Sequence, residues 1–389
     1  MEEWKTYNYT DLCSLIGGGT PRTSEPSYWD GNIPWLSVKD FGTGNKYVYS
    51  TEKHISEKGL NNSSTKLLME GDIIISARGT IGAIAMIPFP MAFNQSCFGI
   101  RANDKVDPDF LYYLTKTKIS ELQKNSHGSV FDTITRDTFE KINCLIPSLS
   151  TQRKIARILS DLDNKIDLNN RINHNLEEQA QALYKSWFLD FEPFKDGNFI
   201  DSELGMIPEG WHVKNLLEIA NLFDSKRKPL SGNERSKMDK VYPYYGATSI
   251  MDYVDDYIFD GTYLLMGEDG SVMTEDGFPF LQYVTGKFWP NNHAHVMQGC
   301  SGFSTEMLHC ALLRKVIKSS VTGAVQAKIS QANMKKILFA CPPRNILAAF
   351  DTILQKTYSH MRNISSQNAT LSLVRDNMLP HLMSSKLGF

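Results

Sequence analysis

The chain carries one internal repeat, and each copy runs into a long segment with a heptad pattern. Residues 128–147, GSVFDTITRDTFEKINCLIP, align with residues 323–342, GAVQAKISQANMKKILFACP, at a constant offset of 195. Gly128, Ile134, Ile142 and Pro147 thus fall on Gly323, Ile329, Ile337 and Pro342. The register continues without a gap into the next segment, where Ser150 maps to Asn345, both good N-cap residues. A repeat fixes architecture before any local reading does. Here the order is globule, helix, globule, helix.

From Ile155 the seam steps by four and three through Leu159, Leu162, Ile166, Asn169, Asn173, Leu176, Ala180, Leu183 and Trp187. Its copy reads Phe350, Leu354, Thr357, Met361, Ile364, Asn368, Leu371, Arg375, Met378 and Leu382. So narrow an apolar stripe at period 3.5 is a coiled-coil seam that asks for one helical partner, and the other copy is the obvious candidate. Residues 151–188 would be about 55 Å long as a helix, more than one small globule covers. The plainer alternative is that each helix closes its own globule with an ordinary amphipathic face. In an antiparallel pair with Ile155 facing Leu382, Asn169 comes opposite Asn368. The two amides then satisfy each other and fix the register; otherwise both face solvent or a partner.

A length of 389 residues suits two domains with connectors, and 41% hydrophobic residues can build a core for each. The longest apolar run, around Ile73–Ile75, is too short to span a membrane, and the N-terminus lacks signal-peptide character. Cys13, Cys97, Cys144, Cys300, Cys310 and Cys341 are scattered without a Cys-x-x-Cys pair, which points to a reducing cytoplasm and away from disulfides or zinc. His293 and His295 near Cys300 lack the ligand spacing of a closed metal site, so no metal is expected. A net charge of −2 argues against a free-standing, strongly basic nucleic-acid binder. Lys226, Arg227, Lys228, Arg235, Lys237 and Lys240 nevertheless crowd one loop-like stretch, read either as a basic patch or as a solvated face.

The globules read as short β-strands with turn punctuation. In the first, a Gly/Pro/Ser-rich segment at 17–26 precedes IPWLSV (33–38), GDIIISARGTIGAIAMIP (71–88) and FNQSCFGIRA (93–102). The second echoes it with YPYYGATS (242–249), GTYLLMGEDGSV (261–272) and FWPNNHAHVM (288–297). Leu111–Leu122 and Leu308–Ile317 look like matching helices. Variable loops on a repeated scaffold are where recognition usually sits. Their candidates are Ser37, Lys39, Arg78, Asn94 and Gln95 in the first copy, and Lys226, Arg227, Tyr244, Tyr245, Thr248, Lys287, Asn291, Asn292 and His293 in the second. Arg suits guanine, Asn and Gln suit adenine, and Ser, Lys and Tyr hold phosphate. Taken singly, each also fits hydrogen bonding within a turn.

No phosphate-binding Gly-x-x-x-x-Gly-Lys loop and no Gly-x-Gly-x-x-Gly after a strand is present, which argues against an ATPase or dinucleotide enzyme. The tetrapeptide of adenine methyltransferases is missing too; Cys341-Pro342-Pro343-Arg344 fails at both ends. No catalytic constellation emerges, so the chain is not expected to be an enzyme.

Residues 150–194, STQRKIARILSDLDNKIDLNNRINHNLEEQAQALYKSWFLDFEPF, resemble the central conserved region of the specificity subunits of type I restriction-modification enzymes. LVRDNMLPHLMS (373–384) resembles their distal conserved region, and GDIIISARGTIG followed by FNQS resembles the core of a target recognition domain. The second copy departs from the pattern, with GEDGSV in place of SARGTIG and PNNHAH in place of FNQS. The resemblance implies an α+β chain with two target recognition domains (1–149 and 193–344) separated by two long antiparallel helices (150–192 and 345–389) that act as a ruler. Each domain would read one half of a split, asymmetric DNA site, and half-sites about 34–36 Å apart suit such pseudo-twofold readers. The resemblance further implies docking of two modification (methyltransferase) subunits and of restriction subunits. S-adenosylmethionine, ATP and Mg would sit on those partners and none on this chain. The rival classes are a helical scaffold that joins partners without reading DNA, and an enzyme with unrecognised motifs.

Overall fold

The computed structural model describes residues 4–42, 44–126, 133–323 and 326–384, so Gly128 and the end of the distal segment lie outside the described residues. The chain divides into two compact units, Met1–Arg171 with Ile364–Phe389, and Ile172–Asn363. Each contains one globule and one end of each of two long helices, Leu149–Phe188 and Arg344–Leu382.

In the first unit two four-stranded sheets carry the globule. One runs in the order Cys13–Gly17, Cys97–Ala102, Ile73–Ser76, Ile84–Met86, and the other Lys53–Ile55, Trp29–Leu36, Met91–Phe93, Leu67–Leu68. The Ile73–Ser76 strand is buried along its whole length, as a continuous apolar run demands when both faces are covered. A parallel pairing of Trp35 with Ala92 and Leu36 with Phe93 brings together segments far apart in sequence. A helix Pro108–Asn125 starts where Asp107 caps Phe110 N and Pro108 takes the first turn, where a missing N–H costs nothing.

The second unit holds a six-stranded sheet ordered Ala220–Leu222, Ala294–Gly299, Phe259–Gly267, Leu281–Pro290, Tyr242–Tyr245, Ile250–Val254. Tyr244 pairs in parallel with Trp289 and Tyr245 with Pro290, the counterpart of the parallel pair in the first unit. The repeat extends to the closing strands: Asn143–Ile146 pairs with Lys5–Asn8, and Leu338–Cys341, 195 residues later, with His212–Asn215. The helix expected over 308–317 is Thr305–Leu313, capped by Ser304, and ends early because the Ile317 N–H is committed to Gly277 O.

The long helices start at Leu149 and Arg344, earlier than Ser150 and Asn345 would allow as caps. Instead Ser148 O and Pro343 O accept the first bonds, from Gln152 N and Leu347 N. Within the first unit the helices run antiparallel. Ile155 and Leu159 share one core with Leu379 and Leu382, and Asn169 Nδ2 donates to Asn368 Oδ1 at 2.8 Å. Asn368 Nδ2 in turn donates to Asn170 Oδ1 at 2.8 Å. The amides therefore meet in the register that Ile155 facing Leu382 requires. Within the second unit Tyr184 and Phe188 pack on Phe350, and Asn173 Nδ2 bonds Met361 O at 3.4 Å.

The seam is wider than a strict heptad. Ile155, Leu159, Ile166, Asn169, Phe350, Leu354 and Ile364 are buried, whereas Leu162, Leu176, Thr357, Met361, Asn368 and Leu371 are only half-buried. Asp163, Tyr184, Phe188, Tyr358 and Leu379 are buried one residue beyond the expected Leu162, Leu183, Trp187, Thr357 and Met378. The cause is that each helix also packs on a globule, so its buried face broadens toward that of a globular helix. Asp163 and Tyr358 occupy the same place in the repeat, and each joins helix to globule. Tyr113 Oη donates to Asp163 Oδ2 at 2.6 Å, where Arg375 also bonds Asp163 Oδ1 at 2.5 Å. Tyr358 Oη bonds His309 Nδ1 at 2.8 Å. The joint is repeated and its chemistry is not.

Candidate nucleic-acid interface

Three strand ends meet at one rim of the first globule. Asn94 N donates to Leu36 O at 2.9 Å, tying the segment after Met91–Phe93 to the end of Trp29–Leu36. Ala77 N donates to Ser96 O at 2.8 Å, and Ala77 O accepts from Ile134 N at 3.0 Å. A glycine turn closes over this rim, where a Cβ on Gly18 would lie 2.0 Å from Asn94 O. Gly79 sits at φ +75°, a left-handed conformation that glycine adopts without strain.

The same frame recurs in the second globule. Asn291 N donates to Tyr245 O at 2.9 Å, Glu268 N to His293 O at 2.8 Å, and Ile329 N to Glu268 O at 2.9 Å. Asn94 Oδ1 accepts from Ser96 N at 3.0 Å, and Asn291 Oδ1 from His293 N at 2.7 Å. Gly270 repeats the φ of +75°. These bonds equate Ala77, Arg78 and Gly79 with Glu268, Asp269 and Gly270, and Asn94, Gln95 and Ser96 with Asn291, Asn292 and His293.

Four of the first copy's five candidates thus converge. Ser37, Arg78, Asn94 and Gln95 follow directly on the joined strand ends. Arg78 and Gln95 are exposed, Asn94 is half-buried with its Oδ1 committed to its turn, and Gln95 bonds Thr20. Ser37 is tied to Asp40, its Oγ donating to Oδ2 at 2.8 Å, and Lys39 is exposed, 3.9 Å from Glu52. In the second copy Asn291 is buried on the rim, Asn292 and His293 are exposed there, and Thr248 is exposed in the turn after Tyr242–Tyr245. Tyr245 packs edge-on against Phe288. Lys287 sits away from the rim strand ends, mid-strand, with its ammonium 4.5 Å from the Tyr257 ring centroid. Lys226 is exposed beside the Phe223 ring.

Besides the buried Asn291, two candidates face inward. Tyr244 is 1% exposed and its hydroxyl accepts from Leu230 N. Arg227 donates to Glu268 Oε2 at 2.6 Å and to Ala294 O at 2.7 Å. Half of the basic stretch is answered by the fold, because Arg235 and Lys240 both bond Asp252 and Arg227 bonds Glu268, while Lys226, Lys228 and Lys237 are exposed. Asp224, Glu268 and His295 bring one ligand atom each within 4.8 Å of one another, yet Arg227 and Lys328 supply the positive charge beside them. Burial works to raise the Asp224 carboxyl, but the bond and charge of His295 hold it below the usual carboxylate range. The backbone frame also places Asp269, not among the sequence candidates, where Arg78 stands in the first copy; the alignment of GEDGSV with SARGTIG was the available signal.

No helix among the described residues is long and apolar enough to cross a membrane. A family model described as the type I restriction modification DNA specificity domain matches residues 1–178 and 208–366. The type I restriction enzyme MjaIX specificity subunit of Methanocaldococcus jannaschii is 30% identical over 406 residues, covering 99% of this chain and 94% of the relative. The EcoprrI specificity subunit of Escherichia coli is 24% identical, covering 92% of this chain and 90% of that protein. The crystal structure of a type I restriction-modification system S subunit from M. genitalium shares the fold at a TM-score of 0.50 and 15% identity, over 99% of this chain and 97% of that one. With its repeated α+β globules, its paired helices and a family match over most of its length, the chain belongs to the family of type I restriction-modification specificity subunits.

Proposed function

We propose that this chain reads DNA without catalysing a reaction on it. Each globule, within 1–149 and 193–344, takes one half of a bipartite asymmetric site, and the helices Leu149–Phe188 and Arg344–Leu382, shorter than the segments 150–192 and 345–389 expected from the sequence, set the spacing between halves. The observation that carries this reading is the repeated rim, on which one backbone frame presents different polar side chains in each copy. Backbone identity fixes where a base edge would be met, and side-chain difference fixes which base is preferred.

On this reading two modification subunits dock on the chain and bring S-adenosylmethionine chemistry, and restriction subunits join with ATP and magnesium. The modest net charge of −2 is compatible with it, since partner subunits can supply phosphate neutralisation. The test is a domain exchange. Replacing residues 1–147 with the matching domain of a relative should change one half of the motif methylated in a host that carries the modification subunit. A change in both halves, or in neither, refutes independent reading.

A further inference from the structure

Asp269 stands in the second globule where Arg78 stands in the first. The equivalence rests on backbone bonds: Ala77 and Glu268 N–H each donate at 2.8 Å to the carbonyl of the residue two beyond the rim asparagine, Ser96 and His293. The following glycines share φ +75°. The two rims thus present opposite charges from one backbone position.

An arginine there has two uses against DNA, a phosphate or a guanine edge. A carboxylate has no such choice. It only accepts hydrogen bonds and is repelled by phosphate, so its useful partners in the major groove are the exocyclic amino groups, cytosine N4 or adenine N6. The surroundings leave Asp269 suited to that task. Its neighbour Glu268 is neutralised inside the fold by Arg227 and Lys328, whereas the Asp269 side chain, 20% exposed, bonds only His293 Nδ1 among the described side chains, and the His293 side chain is 46% exposed. That bond uses one of roughly four acceptor directions of a carboxylate. It also holds the carboxylate in place beside the His293 ring.

We propose that Asp269, oriented by His293, is a specificity-determining residue of the second globule that accepts a hydrogen bond from a base amino group in the major groove. This rests on the reading of the chain as two half-site readers. The test uses the full chain assembled with its modification subunits, and duplexes carrying each of the four base pairs at every position of the methylated motif. Asp269→Asn keeps size and shape but adds donors, and should change the base ratio at one position of the second half-site by about tenfold or more. A shift at a C:G pair identifies cytosine N4 and a shift at an A:T pair identifies adenine N6. Asp269→Ala and His293→Gln should relax the same position and leave the first half-site unchanged. Base ratios unchanged in both Asp269 variants, or affinity lowered equally at every position, would overturn the assignment. A wild-type complex with no bipartite motif would instead overturn the half-site reading itself.

Discussion

Asn169 and Asn368 offer a sharp test of how the helix register is held. Asn169 is 1% exposed and donates to Asn368 Oδ1 at 2.8 Å, and Asn368 passes a second bond to the half-exposed Asn170. Asn169→Leu removes one hydrogen bond, worth about 1 kcal/mol net, and leaves Asn368 Oδ1 without its donor, a further cost of about 1–3 kcal/mol. The new leucine faces an amide, so its burial returns at most about 1.5 kcal/mol. With that return made in full, the single variant should lose about 0.5–2.5 kcal/mol, and Asn368→Leu should lose a similar amount, eased because water can reach Asn170. In the double variant no amide is stranded, and a leucine at the fully buried position contributes about 1.5–3 kcal/mol. Its stability should rise above wild type. Denaturant midpoints of the full chain and its three variants, read as a double-mutant cycle, measure the coupling. Additive single effects, or a double variant less stable than either single one, would refute the pairing as the source of the effect. Loss of the polar layer should also loosen the spacer length tolerated by the assembled enzyme, visible in its methylated motif.

Burial pulls the His309 imidazole down from 6.5 to about 4, so the unfolded chain binds more protons between those values. The contribution of this group to stability is complete above pH 6.5 and is lost as pH drops toward 4, by about 3 kcal/mol at most. Urea titrations across that range should show the acid loss in wild type and a flatter profile in His309→Gln. Asp163→Ala strands the Arg375 guanidinium, whose side chain is 8% exposed, and should cost about 3 kcal/mol, toward the low end because Asp376 still bonds it; a loss under 1 kcal/mol in the denaturation midpoint would contradict this. Gly79→Ala and Gly270→Ala each force an alanine to φ +75° with no neighbouring atom in the way, so each should cost about 1–2 kcal/mol by the same measurement, and a difference above 1 kcal/mol between them would contradict the shared loop geometry.

The helices were legible because their signal is local. A seam of Ile155, Leu159, Leu162 and Ile166 copied 195 residues later as Phe350, Leu354, Thr357 and Met361 needs no knowledge of the fold, whereas the polar interruptions Asn169 and Asn368 become partners only once an antiparallel register is supposed. The shift to Asp163, Tyr184 and Tyr358 was not legible, since it follows from the globule packed on each helix. The rim was half legible. Turn residues flagged Arg78, Asn94 and Gln95, but only the parallel pairing of Leu36 with Phe93 brings Ser37 beside them.

What the sequence by itself determined is the repeated order of elements and the apolar seam along each helix, because periodicity and offset are properties of neighbours along the chain; the register in which the helices meet was set by the tertiary structure. Tertiary structure decided which polar side chains remain outside. Arg227 and Tyr244 read as loop residues until Glu268 and Leu230 arrive from elsewhere in the chain to bond them, while Asp269 takes Arg78's place only through a backbone frame that their side chains do not record. Burial and pairing are non-local, and a polar residue's availability depends on partners that only folding supplies.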